Sequence, residues 1–166
     1  MTIRERTTWE ERRLTVTWEP GHLPPREQVT QASGICFVAD GRILLVSQDG
    51  DHWALPGGHP EPGEAPEQAL IREVWEEASA RVERFAYLGA QRVDDPEAPA
   101  PPHVYYQLRY VAWVRLEPFD PQHETRHRRL VAPDQLIATL GWDTTAIAEA
   151  LLAAAQQKQA PVPPLP

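Results

Sequence analysis

The chain has 166 residues, a formal net charge of −8, 42% hydrophobic and 24% charged residues, an ordinary globular balance in a length that suits one well-packed domain. The negative charge argues against broad nucleic-acid binding and against an anionic membrane surface, since both want a basic face. The single cysteine, Cys36, allows no internal disulfide and fits a reducing compartment, and no run approaches the roughly 18 apolar residues of a membrane span.

Met1 to Arg6 is charged and lacks the apolar core of a secretion signal, so the expected location is cytoplasmic. Residues 1–30 read as a polar N-terminal extension, punctuated by Pro20-Gly21 and Pro24-Pro25. Within it the alternation of Arg13 to Trp18 marks a candidate edge strand or homodimer contact. Ser33 to Val38 reads as a buried strand containing Cys36, Ala39-Asp40-Gly41 as a turn, and Arg42 to Ser47 as the returning strand. Leu55 to Glu64 is rich in glycine and proline, which marks a shaped loop. A helix is predicted from Pro66 to Ser79, with Pro66 at the first position, where its missing N–H is no loss.

Phe85 to Val93 should re-enter the sheet, and Asp94 to Pro102 is a loop. His103 to Leu116 is the longest β-like run, ended by Pro118. Glu124 to Arg129 reads as a charged loop, Pro133 to Leu140 as helical with Gly141 breaking it, and Thr144 to Gln156 as an alanine-rich helix. The main domain therefore spans 31–157, and residues 158–166 form a proline-rich tail expected to be extended and mobile.

The predicted helix carries the chemistry. Glu73, Glu76 and Glu77 are spaced i, i+3 and i+4, so they share one face. Leu70, Ile71, Val74, Trp75 and Ala78 fall on the other, which is the expected buried side. Arg72 borders the carboxylates. Glu73 and Glu77 are like charges one turn apart, which is unfavourable in an isolated helix. One arginine leaves negative charge over, and a divalent cation would remove the repulsion. Ligands that are all oxygen select a hard cation, Mg²⁺ first and Mn²⁺ second. The absence of cysteine and histidine from the helix argues against zinc.

The pattern Gly58, Glu64, Arg72-Glu73-Val74, Glu76-Glu77 resembles the Nudix hydrolase box, G-x5-E-x7-R-E-U-x-E-E-x-G-U with U a bulky aliphatic residue. Ser79 replaces its last glycine and Ala80 its last aliphatic. The resemblance implies an α/β fold, an α/β/α sandwich with a mixed sheet and a loop–helix–loop catalytic motif. It implies metal binding by Glu73, Glu76 and Glu77 with the Gly58 carbonyl as an added ligand. Arg72 would orient the carboxylates and Glu64 would brace the loop. The general base varies within the family. Glu97, Glu117 and Glu124 are the later candidates here, and Glu124 is preferred. The implied activity is hydrolysis of the pyrophosphate linkage in a small-molecule nucleotide: a nucleotide sugar, an ADP-ribose-like compound or a nucleoside triphosphate. The alternative is a non-catalytic module that senses a nucleotide. Such modules usually lose box carboxylates, and all three are present.

Outside the box, Arg126 to Arg129 form a basic cluster that reads either as a solvated loop or as an arm meeting a phosphate. Trp53, Tyr105, Tyr106 and Trp113 are candidates to stack on a base. The missing glycine at position 79 raises two options. Either Ser79 takes the left-handed conformation common just past a helix, or it has ordinary helical angles with its hydroxyl bonded one turn back. The second is preferred, because Ala78 to Val82 contains no glycine.

Overall fold

The computed structural model describes residues 1–159; the tail assigned to 158–166 lies almost wholly outside them. Eight strands form one mixed sheet: β1 (Ile3–Trp9), β2 (Arg12–Pro20), β3 (Val29–Phe37), β4 (Ile43–Ser47), β5 (Gly57–Gly58), β6 (Ala80–Asp94), β7 (Val104–Leu116) and β8 (His127–Val131). The order is β1-β2-β6-β7-β3-β4-β8, with the short β5 paired to β3. β3 and β7 run parallel, with Ser33 opposite Arg109 and Phe37 opposite Trp113. Their neighbours are antiparallel.

Two layers of helix cover the two faces, giving the expected α/β/α arrangement. α1 (Pro66–Ala78) buries Ala69, Leu70, Val74 and Ala78 with Cys36, Leu44, Tyr110 and Ala112 of the sheet. On the other face α3 (Thr145–Gln159) buries Ile147, Leu151 and Ala155 with Ile35, Phe37, Leu45 and Val111. The pleat explains the division, since successive residues of β3 point to opposite faces. A short α2 (Leu136–Leu140) precedes α3 and ends at Gly141, whose φ of +67° is left-handed and suits glycine.

Several expectations change. The buried side of α1 is narrower than its apolar stripe: Ile71 and Trp75 are more than two-fifths exposed. Trp75 is covered instead by the guanidinium of Arg81, 4.6 Å from the ring centre. The charged segment 124–129 is not all loop, because His127 opens β8, which pairs with β4. The N-terminal residues are no appendage. β2 is paired on both sides, to β1 and to β6, so it is neither a sheet edge nor open to strand-to-strand dimerisation. Its Leu14, Val16 and Trp18 are buried. β1 is the true edge. It also holds α3 in place, since the Glu5 carboxylate accepts the N–H groups of Ala146 and Ile147 at 3.2 and 2.9 Å. An acidic side chain on the first turn of a helix satisfies donors that have no partner within it and meets the positive end of the dipole.

Candidate active site

The loop before α1 is fixed by two adjacent glycines. Gly57 has φ +151°. A side chain there would meet Ser33 Cα and the Ala32 carbonyl at 2.4 Å. A side chain on Gly58 would meet the Glu73 carboxylate at 2.5 Å. Only glycine lets this backbone lie between β3 and the helix. The turn is closed by Glu64, whose carboxylate accepts the Glu61 N–H at 3.1 Å. Arg26 clamps it from outside, donating to the Glu64 and Glu61 carbonyls.

Arg72 is the hub. Its Nε and one terminal nitrogen form a planar fork on Glu64 at 2.8 and 2.9 Å. The other terminal nitrogen reaches Glu73 at 2.8 Å and Glu76 at 3.1 Å. The fork holds the Glu64 carboxyl down to about 2. This geometry needs a guanidinium; an ammonium has no planar pair of donors.

Glu77 stands apart from the hub. One oxygen accepts the Gly57 N–H at 2.8 Å, and the other lies 3.4 Å from the Thr125 hydroxyl. Burial pushes its carboxyl up to about 7; the charges of Glu73 and Glu76 add to the rise, and the Gly57 N–H opposes it. It faces a cavity of about 220 Å³ shared with Asp49, His52 and Thr125.

The donor set fits a hard divalent cation. Three carboxylates share one arginine, every candidate ligand atom is oxygen, and the charged form of Glu77 is disfavoured by burial and by the charges of Glu73 and Glu76. Among the described residues, no three acidic, histidine or cysteine side chains yet converge on one point. Arg72 engages Oε1 of Glu73 and Oε2 of Glu76, one oxygen of each carboxylate, so it can orient both without taking their second oxygens.

The other sequence candidates fall in different places. Glu97 is held by the backbone and side chain of Arg13, and Glu117 by Arg81. Glu124 is bonded by Gln48 at 3.2 Å and is the neighbour of Thr125, which reaches Glu77. Arg128 is neither an arm nor a solvated charge. It donates to the Ala78 carbonyl at 2.8 Å, where a cation favours the end of a helix. Ser79 corrects the preferred reading of the helix exit. It is left-handed, with φ 50° and ψ 46°. Its hydroxyl bonds Asp120 rather than a carbonyl one turn back, accepting that residue's N–H at 3.0 Å.

Of the four aromatic candidates, Tyr106 is buried in the core, and Trp113 lies under Arg84. Trp53 lies near Arg129, and Tyr105 is partly buried in β7. A larger cavity, about 400 Å³, opens on the α3 side of the sheet beside Ala54 and Leu55 and is lined by Trp9 and Trp142 instead. No local pattern signals it: β7 also carries Arg115 on the same face as Gln107 and Arg109, and the polar floor assembles only when β3, β6 and β7 are in register.

The NUDIX domain model matches residues 28–152, and the chain belongs to this family. It is 46% identical over 61 residues to a MutT-like protein of Streptomyces ambofaciens, a match covering 36% of this chain and 39% of that one. It is 37% identical over 79 residues to the mouse diphosphoinositol polyphosphate phosphohydrolase 3-alpha, covering 45% of each. The chain thus spans less than half the length of these relatives. The crystal structure of the Bacillus subtilis pyrophosphohydrolase BsRppH superimposes with a TM-score of 0.68 at 26% identity, covering 88% of this chain and 90% of that one. A NUDIX hydrolase from Nitrosomonas europaea shares the fold at a TM-score of 0.60 and 19% identity, covering 84% and 95%.

Proposed function

We propose that this chain is a Mg²⁺-dependent pyrophosphohydrolase, with Mn²⁺ as a substitute, acting on a nucleoside diphosphate linked to a further group. Nucleotide sugars, ADP-ribose-like compounds and nucleoside triphosphates are the substrate classes. The observation that carries the reading is the Arg72 hub: one guanidinium joins Glu64 of the loop to Glu73 and Glu76 of the helix, one turn from a half-buried Glu77. A fold that needed only a solvated helix face would not draw that much negative charge part-way out of solvent behind a glycine loop.

Glu73, Glu76, Glu77 and the Gly58 carbonyl would hold the metal, which supplies positive charge against the phosphate oxygens and lowers the pKa of water. Arg72 and Glu64 position those carboxylates. Glu124 takes the general-base role, because its competitors Glu97 and Glu117 are engaged by Arg13 and Arg81. Water adds to one phosphorus, the bridging P–O bond breaks, and the water proton passes to the base. The products are a nucleoside monophosphate and a phosphorylated remainder.

The test is a screen of these nucleotides with Mg²⁺ and Mn²⁺, wild type against Glu77→Gln. The substitution removes a charge and keeps the shape. It should lower kcat by about 10²-fold, or roughly 3 kcal/mol of barrier. Full turnover by the variant, or full turnover in chelator, overturns the assignment.

A further inference from the structure

The larger cavity has an unusual floor. Arg109 is buried, and every partner of its guanidinium is neutral. It donates to the Oε1 atoms of Gln91, Gln31 and Gln107 and to the Ser33 hydroxyl. The three glutamines lie abreast on β6, β7 and β3, Gln91 opposite Gln107 and Gln107 opposite Gln31. Burial lowers the Arg109 pKa to about 9, and no carboxylate offsets the shift, so the group is charged at neutral pH. A buried cation without a carboxylate is costly. The arrangement has a geometric consequence. A side-chain amide can normally turn either way, but here each oxygen is held by the guanidinium. Each NH₂ group therefore points away from Arg109. The glutamine row presents donors only, over a positive charge.

The walls are of a different kind. Trp142 lies over Arg109, its ring centre 5.6 Å from the guanidinium carbon, and Trp9 and Leu55 also line the space. Asp143 is the single acidic residue of the lining, held at the rim by the Thr7 hydroxyl at 2.7 Å. A volume of about 400 Å³ lies in the range of small-molecule sites, roughly 300–1,000 Å³. Ser33 is opposite Gly57 in the β3–β5 pairing, and the Gly57 N–H is bonded to Glu77. One strand pair thus separates the cavity floor from the carboxylate cluster.

We propose that this cavity reads the base of the nucleotide, the glutamine row locked by Arg109 donating to the adjacent acceptors of an oxopurine of the guanine type. The proposal rests on the pyrophosphohydrolase reading above for its substrate class. Guanine offers two neighbouring acceptors, O6 and N7, where adenine offers N7 beside an amino donor. A donor-only row pairs with the first edge and opposes the second. Asp143 can accept from the donor edge of guanine, which adenine lacks. The tryptophans supply the flat apolar surface that a ring needs and a bare phosphate does not. Arg109 acts here as a positioning residue, through the amides it holds.

The experiment is a calorimetric titration of GMP, AMP and ribose 5-phosphate into the metal-free protein, wild type against Gln107→Glu. That substitution keeps the shape and gives Arg109 a carboxylate, so the fold is retained; a thermal melt checks it. It also replaces a donor facing the cavity by an acceptor. Wild type should bind GMP at least about tenfold more tightly than AMP, and the variant should lose that preference while AMP binding holds or rises. Gln31→Glu should do the same from a separate strand. Equal GMP and AMP binding by wild type, or an unchanged preference in both folded variants, overturns the proposal. So does ribose 5-phosphate binding as tightly as GMP, which would make the cavity an oxyanion site. GMP binding needs neither metal nor turnover. An inactive protein that prefers GMP therefore refutes the hydrolase reading alone, and an active one with no preference refutes the base assignment alone.

Discussion

Gly57 and Gly58 are neighbours that answer to different constraints. At Gly57 an added Cβ runs into the backbone of β3, and the φ of +151° disfavours any side chain. Neither obstacle can move cheaply. At Gly58 the obstacle is the Glu73 carboxylate, the far end of a flexible side chain. Gly57→Ala should therefore destabilise the fold by about 1–3 kcal/mol through backbone strain, with the clash added to it. Gly58→Ala should melt near wild type and, on the proposed metal-dependent reading, still lose most of its turnover, because Glu73 is displaced. Melting midpoints and turnover measured on the same two variants separate the effects. Equal loss of stability in both would refute the distinction. These glycines, and the carboxylates they serve, were legible in the sequence because the box is a dense charged pattern with fixed spacing. Arg109 was not. A lone arginine in a strand signals nothing until the register sets Gln91 and Gln31 on either side of Gln107, and register is a tertiary property.

At the scale of the element, α1 is a helix whose start follows common chemistry and whose end does not. Ala65 offers no side-chain cap, but Gln68 accepts the Ala65 N–H at 2.9 Å, and Pro66 pre-sets the first turn. The end is left-handed at a residue that is not glycine. Ser79 pays for this (about 1 kcal/mol in an L-residue) with its hydroxyl on Asp120, while its carbonyl accepts the Glu117 N–H at 2.9 Å. The reading that placed Ser79 in the helix failed because both partners lie about 40 residues on, outside any local pattern. Ser79→Ala keeps the left-handed strain and leaves the Asp120 N–H without its acceptor, so it should cost about 1–3 kcal/mol. Ser79→Gly loses the same bond but relieves the strain, and should sit about 1 kcal/mol above the alanine variant. Urea midpoints at unchanged slope measure the gap. Identical midpoints would mean that the left-handed conformation costs nothing here.

At the scale of the molecule, the N-terminal hairpin decides what counts as the domain. The sequence split the chain at residue 30 because β1 and β2 are threonine- and arginine-rich, and a strand with one polar side carries a weak signal. The family model likewise begins at residue 28. Yet Trp18 is 2% exposed, Glu5 holds the first turn of α3, and Thr7 and Trp9 line the larger cavity. Removing residues 1–20 would expose Val93 and the rest of β6 as a new edge, uncover α3 and strip one wall from the cavity. Burial of a large apolar side chain is worth about 1.5–3 kcal/mol, and Leu14, Val16 and Trp18 are all lost. The deficit is comparable to the whole stability of a typical domain, about 5–15 kcal/mol. The truncated chain should therefore lose its cooperative thermal transition. The single change Glu5→Gln should lower the melting midpoint by only a few degrees, through a weaker hold on the α3 amides, on the order of 0.3–1 kcal/mol. A truncated protein that melts cooperatively at the wild-type midpoint would show that the domain begins after the hairpin.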